Sequence, residues 1–503
     1  MKEGVMQDCI LAIDQGTTGS TVILFDTDGR VVGRGYQEFP QHFPQPGWVE
    51  HDANEILEAT LNALATCMES VATSVTITGI GITNQRETCL LWDRATGRPV
   101  HKAIVWQCRR TASRCAELVA SGLETIVREK TGLVLDAYFS GTKLQWLLES
   151  DPDIRARAER NELAFGTIDT WLLWHLTGGT VHATDVTNAS RTMLFNLHRL
   201  NWDEELLHTL GIPACILPEV KPSGGLFGHT VAIGGLQAGI PVLAVAGDQH
   251  AALFGQGCFT PGQAKNTYGT GCFMLMNTGT EVVVSQNRLL TTLGWQLAGQ
   301  APVYALEGSV FMAGAVIQWL RDGLGLIQDA AESESLAAQV ADNGGVVVVP
   351  AFVGLGAPYW DGFARAAILG LTRGATKAHI ARASLEAIAY QSRDLLDAMV
   401  RDSGVTLAEL KVDGGATANH LLMQFQADIL GVPVVRDAMV EATAWGVAAM
   451  AGVMQGRWRL DDLAHLKQGV IRFTPAMRET ERSRLYATWQ KAINRTLGWE
   501  QSL

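Results

Sequence analysis

The sequence predicts an α/β fold made of two related halves. Three observations carry this. Apolar runs of strand length alternate with helical patterns along the 503 residues, as expected of sheets covered by helices. Two similar turns, Gly16-Thr17-Thr18-Gly19 and Gly269-Thr270-Gly271, each separate two strand-like runs. Two aspartates, Asp14 and Asp248, each follow an apolar run, and α/β proteins place their ligands at the carboxyl ends of strands.

Residues 9–13 read as a strand, 14–20 as a turn, and 21–25 and 30–34 as two more strands, a meander whose first turn is rich in glycine and hydroxyls. Such a turn can wrap a phosphate with N–H groups and hydroxyls, although a single Gly/Thr cluster is more often an ordinary hairpin. A carboxylate is costly to bury alone, so Asp14 just before the turn points to a metal or proton role. Residues 52–69 have helical spacing (Ile56, Leu57, Leu61, Leu64, Met68), with Asp52 as N-cap. A strand over 75–83 ends in Asn84-Gln85-Arg86-Glu87-Thr88. Its charged donors and acceptors suit a small polyol, whose hydroxyls both donate and accept. Taken alone, that stretch reads better as a surface salt bridge capping a strand.

Residues 103–106 form a short apolar run, 138–143 lead into a short helix, and 166–169 enter an amphipathic run over 170–176. The near-continuous apolar run 240–246 reads as a strand covered on both faces and ends in Gly247-Asp248-Gln249-His250. The lobe boundary is placed near here, giving halves 1–255 and 256–503.

The second half restarts with a strand over 262–268, the turn 269–271 and a strand over 272–276. A helix is expected over 310–321, capped by Ser309, with Gly314 and Gln318 on one face. A buried strand follows at 346–350, a loop at 354–361 and a long helix over 379–401 ending near Gly404. Residues 410–413 read as a strand, 414–416 as a tight turn and 417–430 as a helix stopped by Gly431 and Pro433. A strand, a Gly-Gly turn and a helix start make a place for a nucleotide to lie against backbone.

The net charge of −12, without a basic block, argues against a nucleic-acid partner, because phosphate backbones are bound mainly by Lys and Arg. Eight scattered cysteines with no C-x-x-C pair suggest neither a zinc site nor a redox dithiol and fit a cytoplasmic protein. The first nine residues carry Lys2, Glu3 and Asp8 and do not read as a signal peptide. No stretch of roughly 18 apolar residues occurs, so no membrane insertion is expected. The motifs of P-loop NTPases, dinucleotide enzymes, zinc proteases and α/β-hydrolases are all missing.

Several stretches together resemble the FGGY carbohydrate kinases, nearest the members that act on glycerol. They are DQGTT at 14–18, PGWVEHD at 46–52, GITNQRET at 81–88, AIVWQCRR at 103–110, FSGTK at 139–143, TNASRTMLF at 187–195, KNTYGTGCFMLMNT at 265–278, GLGAPYWD at 354–361 and VDGG at 412–415. The resemblance implies two actin-like, ribonuclease-H-like lobes with an ATP-binding cleft between them. It implies glycerol and the phosphate loop on the first lobe and adenosine on the second. The implied reaction is ATP-dependent phosphorylation of glycerol to sn-glycerol 3-phosphate. By position, Asp248 would be the general base. Arg86, Glu87, Tyr138, Asp248 and Gln249 would hydrogen-bond the hydroxyls, and Trp106 and Phe273 would pack the carbon side. Thr17, Thr18, Gly19 and Thr270 would meet the phosphates, and Gly314, Gln318, Gly415 and Asn419 the adenosine side. Asp14 would position Mg²⁺ through water. The resemblance also implies a homodimer or homotetramer.

Two positions depart from the family pattern. Many members have serine where this chain has Gly19 and arginine where it has Thr21, which implies weaker charge assistance at the nucleotide phosphates. Some bacterial members bind fructose 1,6-bisphosphate through a Gly-Gly-Lys-Gly-Gly-x-Arg loop. The matching stretch here, Gly234-Gly235-Leu236-Gln237-Ala238-Gly239, has neither cation, so insensitivity is expected. The alternatives are an FGGY kinase for another polyol or a ketose, and a non-kinase actin-like ATPase, which would leave the cluster of Arg86, Trp106 and Tyr138 without a purpose.

Overall fold

The opening meander forms as its pattern predicts. Gln7–Gln15, Gly19–Phe25 and Val31–Glu38 are successive antiparallel strands. The structure is a computed structural model and describes residues 7–71, 74–437, 441–464, 466 and 469–500; the reading of residues 1–6 lies outside them. Val75–Asn84 runs parallel to the first strand, Pro241–Gly247 runs parallel to Val75–Asn84, and Gly224–His229 closes the edge antiparallel.

A seven-stranded sheet repeats this plan. Gln263–Tyr268 is flanked on one side by the antiparallel strands Cys272–Gly279, Val303–Val310 and Leu290–Trp295. On its other side Glu409–Asp413 and Val434–Arg436 run parallel, and Ile471–Phe473 closes the edge antiparallel. Both sheets therefore pass from an antiparallel edge through three parallel strands to a set of antiparallel strands, sequential in the first sheet and crossed over in the second. The repeated Gly-Thr turn is one piece of a repeated sheet plan.

Helices Ala53–Glu69 and Ile168–Leu176 cover one face of the first sheet. The Asp52 carboxylate accepts from the Asn54 N–H, satisfying a helix-end donor. Helices Asp248–Gly255 and Ala442–Met454 cover the other face. The second of these is apolar all round and almost wholly buried, as an enclosed helix should be. The two helices meet backbone to backbone. A Cβ on Gly446 would lie 1.9 Å from the Ala251 carbonyl oxygen, and one on Gly255 would lie 2.1 Å from that of Ala442. Only glycine permits this approach. The core around them draws Ile10, Ala12 and Phe25 from the first sheet and Leu275 and Ala305 from the second, so the two lobes share it. A smaller sheet, Glu50–His51, Cys89–Asp93, Ala103–Ile104 and Leu163–Thr167, extends the first lobe over its own core.

Two boundaries differ from the sequence reading. The strand Val303–Val310 continues through Ser309, which pairs with Phe273, and the helix starts only at Gly314. Ser309 is a ladder residue and not a cap. The apolar run before it is held by cross-strand pairing, which outweighs the local capping signal. Residues 415–418 form a 3-10 turn, and the following helix, His420–Leu430, is capped by Asn419, whose side chain accepts from the Leu422 N–H. The long helix runs Lys377–Ser403 and ends at Gly404, whose φ of 67° is the left-handed conformation that favours glycine.

Candidate active site

The three parallel strands of the first sheet end side by side. Gln15 is in register with Asn84, and Asn84 with Gly247. The turn 16–19, the pair Arg86-Glu87 and Asp248 are therefore neighbours at one sheet edge. In the second sheet Thr267 is in register with Asp413, which brings the Gly269-Thr270 turn beside Gly414-Gly415.

In the first turn the Gly16 N–H donates to the Gly19 carbonyl at 2.9 Å, and Gln41 Nε2 donates to the Thr17 carbonyl at 3.0 Å. Thr18 is exposed. Gly19 lies against Tyr36, because a Cβ there would be 2.7 Å from the ring. Tyr36 thus takes the space that a side chain at position 19 would fill. Trp106 Nε1 donates to Thr17 Oγ1 at 3.0 Å, and its ring meets Tyr138 edge-on with centroids 5.6 Å apart.

After the strand Val75–Asn84 the backbone turns sharply. The Thr88 N–H donates to the Arg86 carbonyl at 2.7 Å, and Glu87 has φ of 60°. Uncommon backbone of this kind in a non-glycine residue clusters at ligand sites. Arg86 is buried and reaches three carboxylates. Its Nη1 and Nη2 donate to Glu307 at 2.6 and 2.9 Å, its Nε lies 3.3 Å from Asp248 Oδ1, and Glu87 Oε1 is 3.9 Å away. Arg191 completes the group. Its Nε donates to Glu87 Oε1 at 2.6 Å and its Nη2 to Glu307 Oε1 at 3.1 Å. Two guanidiniums thus balance two buried carboxylates. Burial alone would raise the pKa of Glu307, but Arg191 and Arg86 outweigh it and hold the carboxyl well below its usual range. For Glu87 burial prevails over the same two arginines, and its pKa is raised.

Asp248 opens the helix Asp248–Gly255 and its side chain is 31% exposed. Its Oδ1 also accepts from the Gln249 N–H at 2.6 Å. The Gln249 side-chain oxygen accepts from Lys265 Nζ, which also donates to Thr267 Oγ1 at 2.9 Å. Lys265 belongs to the second sheet, and burial lowers its pKa against the pull of Asp413 and Asp248. Phe273 is also on the second sheet. It is in register with Ser309, while Leu275 is in register with Glu307, so Phe273 and Glu307 share a face of the sheet.

On the second lobe, Thr270, Gly314, Gln318, Gly415 and Asn419 line one cavity of about 470 Å³, with Ile317, Leu385 and Leu422 among its walls. A Cβ on Gly314 would sit 2.5 Å from the Gly269 carbonyl oxygen, so glycine allows the helix to start against that turn. Another cavity, of about 490 Å³, lies apart from these residues. There Arg382 and Asn343 are both engaged with Glu386.

Sequence profiles of the FGGY family of carbohydrate kinases match both parts of the chain, the N-terminal domain over residues 9–255 and the C-terminal domain over 264–455. The chain belongs to the FGGY family of carbohydrate kinases. A glycerol kinase of Symbiobacterium thermophilum is 59% identical over 496 residues, covering 97% of this chain and 98% of its own. One of Deinococcus radiodurans is 58% identical over 493 residues, covering 98% of each chain. A crystal structure of Plasmodium falciparum glycerol kinase with ADP superposes with a TM-score of 0.94 at 37% identity, covering 98% of this chain and 99% of its own. The fold is the two-lobe actin-like ATPase fold.

Within this candidate site, sequence reasoning missed Glu307, Arg191 and Lys265. The available signal was charge out of place. Glu307 interrupts an apolar strand, and Arg191 follows a run of small residues. The residues present also suit a magnesium ion. Asp14 is half-buried, and burial, then Asp248, then Glu441 raise its pKa to about 8. Such a carboxylate gains from a cation. Among the described residues no set of three or more acidic, histidine or cysteine side chains could enclose an ion. One carboxylate with waters and nucleotide phosphates matches magnesium, which keeps much of its hydration.

Proposed function

We propose that this FGGY kinase phosphorylates glycerol at the expense of ATP, with sn-glycerol 3-phosphate and ADP as products. The observation that carries the reading is the juxtaposition, at one strand edge, of Arg86, Glu87, Asp248 and Gln249 with the Trp106–Tyr138 pair. Charged donors and acceptors would read three hydroxyls, and the rings, with Phe273, would pack the carbon side. The relatives that match nearly the whole chain are named glycerol kinases, which supports glycerol as the polyol.

Asp248 is the group placed to take the proton of the attacking hydroxyl. It is partly exposed, sits at a helix start and is oriented by Arg86 and the Gln249 N–H. The hydroxyl oxygen bonds to the γ-phosphorus, the bond to the bridging oxygen of ADP breaks, and the proton passes to the carboxylate. Phosphoryl transfer leaves the protein mainly positioning and charge stabilisation. Thr17, Thr18, Gly19 and Thr270 would face the phosphates, and the cavity of Gly314, Gln318, Gly415 and Asn419 would take the adenosine. Mg²⁺, held by Asp14 through water, would neutralise phosphate charge.

The lobes divide near residue 255, and a cytoplasmic location belongs with an ATP-consuming kinase. Association into a homodimer or homotetramer is supported by exposed apolar side chains. Phe363 and Trp499, 52% and 71% exposed, lie close together where the Glu500 N–H donates to the Phe363 carbonyl.

The test is ADP release with and without glycerol. The reading requires turnover that depends on glycerol and saturates with it. Turnover at the same rate without glycerol would favour a non-kinase ATPase.

A further inference from the structure

The side chains read as hydrogen-bonding glycerol belong to the first lobe, yet two of them are held by residues of the second sheet. Arg86 ends on Glu307 through two short bonds, 2.6 and 2.9 Å. Gln249 ends on Lys265. Glu307 also accepts from Arg191 at 3.1 Å, and Arg191 in turn holds Glu87. All of the holding groups are fully or almost fully buried, and the atoms that hold are bonded to the reading side chains themselves.

We propose that Glu307 and Lys265 are positioning residues that fix the hydroxyl-reading side chains from the opposite lobe, so that the polyol site is complete only when the two lobes are together. The inference rests on the glycerol-kinase reading above. A guanidinium with both terminal nitrogens bound in a two-point pair is held in one plane, which leaves Nε facing Asp248. Released from Glu307, Arg86 can turn toward Asp248 or Glu87, and the reader loses its shape. Arg191 transmits the same constraint to Glu87. Against the opposing effect of burial, Arg191 and Arg86 keep Glu307 charged, so its hold persists across the physiological pH range. The device couples glycerol affinity to lobe apposition without any new contact to glycerol.

The test uses E307Q, E307D and K265M in the full-length enzyme. E307Q keeps the shape but sets an amide donor against a guanidinium, and E307D keeps the charge with a shorter reach. Steady-state kinetics should show E307Q raising KM for glycerol at least about tenfold, with a smaller fall in kcat because Arg86 also orients Asp248. E307D should recover part of the loss, and K265M should raise the same KM. Mg-ADP binding without glycerol, measured by calorimetry, should stay within about twofold of wild type in all three. Should E307Q fail to fold, K265M, whose apolar side chain suits a buried position, is judged by the same two numbers. A folded variant with unchanged KM for glycerol overturns the proposal. So does a parallel loss of glycerol and ADP affinity, which marks a merely structural role. Wild-type turnover independent of glycerol would instead overturn the functional reading itself, and this inference with it.

Discussion

The indole N–H of Trp106 donates to the hydroxyl oxygen of Thr17 at 3.0 Å. One bond thus ties the wall proposed for the carbon side of glycerol to the turn proposed for the phosphates. Trp106→Phe and Thr17→Val each remove it. Their effects on kcat/KM should therefore be less than additive in the double variant, with a coupling of about 0.5–1.5 kcal/mol, the usual worth of a hydrogen bond. Strict additivity in that cycle would mean that the bond does not link the two functions.

Asp248→Asn keeps the side-chain shape and removes proton acceptance. Loss of a general base typically lowers the rate by about 10²–10⁴-fold, so kcat should fall on that scale while KM for glycerol changes much less. Stopped-flow or coupled assays of product formation measure both. Near-normal turnover would remove Asp248 from the role.

Stability should fall on the acid side, and His51 supplies part of the reason. It is fully buried, with Nε2 2.6 Å from Gln41 Oε1 and Nδ1 3.3 Å from Gln85 Nε2. Burial, then His42, lowers its pKa to about 4. Unfolded, an imidazole titrates near 6.5. Between these values the unfolded chain binds a proton that the folded chain refuses, so stability rises with pH in that window. The contribution is intact above about pH 6.5, is lost as pH falls toward about 4, and is constant below. Urea unfolding at pH 7 and pH 5 should show a drop for wild type and a smaller one for His51→Gln. Equal drops would assign the acid sensitivity to other groups, such as His182, which burial also lowers to about 4.

The parts of the site that lie at strand ends were legible in the sequence. Asp14 lies at the end of a readable strand, Asp248 opens the helix after one, and Arg86, Thr270 and Gly415 sit in turns that follow one; such chemistry is local. The sheet plan was legible only as an echo between two Gly-Thr turns, because strand order depends on contacts far apart in the chain. Glu307 was missed for the same reason. Its partner Arg86 is 221 residues away, and beside Ser309 it reads as the approach to a helix cap. The ladders with Cys272–Gly279 and Leu290–Trp295 reveal a strand. Asn419 was assigned to the adenosine side but read as lying inside the helix 417–430, whereas it caps the helix that starts at His420.

The loop over 234–239 bears on regulation. Leu236, where a bisphosphate-binding loop would carry lysine, is 4% exposed and packs into the first-lobe core. Gly239, at the arginine position, has φ of 91°, a conformation that suits glycine and strains other residues. The loop therefore has neither the cations nor an outward side chain at the lysine position. Initial rates at near-physiological salt, where charge effects are not exaggerated, should be unchanged by fructose 1,6-bisphosphate. Saturable inhibition at sub-millimolar concentration would show that cations from elsewhere complete a site.

If the cluster around Arg86, Trp106 and Asp248 reads glycerol, substrate choice should show it. The measurement is kcat/KM across a panel of glycerol, erythritol, ribitol, xylulose and ribulose with ATP, with the glycerol product identified by phosphorus NMR and its configuration by a stereospecific dehydrogenase. The expected result is sn-glycerol 3-phosphate and a preference for glycerol of at least about tenfold over every other acceptor, as a site built to pair three hydroxyls against an apolar wall should give. A ketose or longer polyol turned over with higher kcat/KM than glycerol would mean that the cluster reads another substrate.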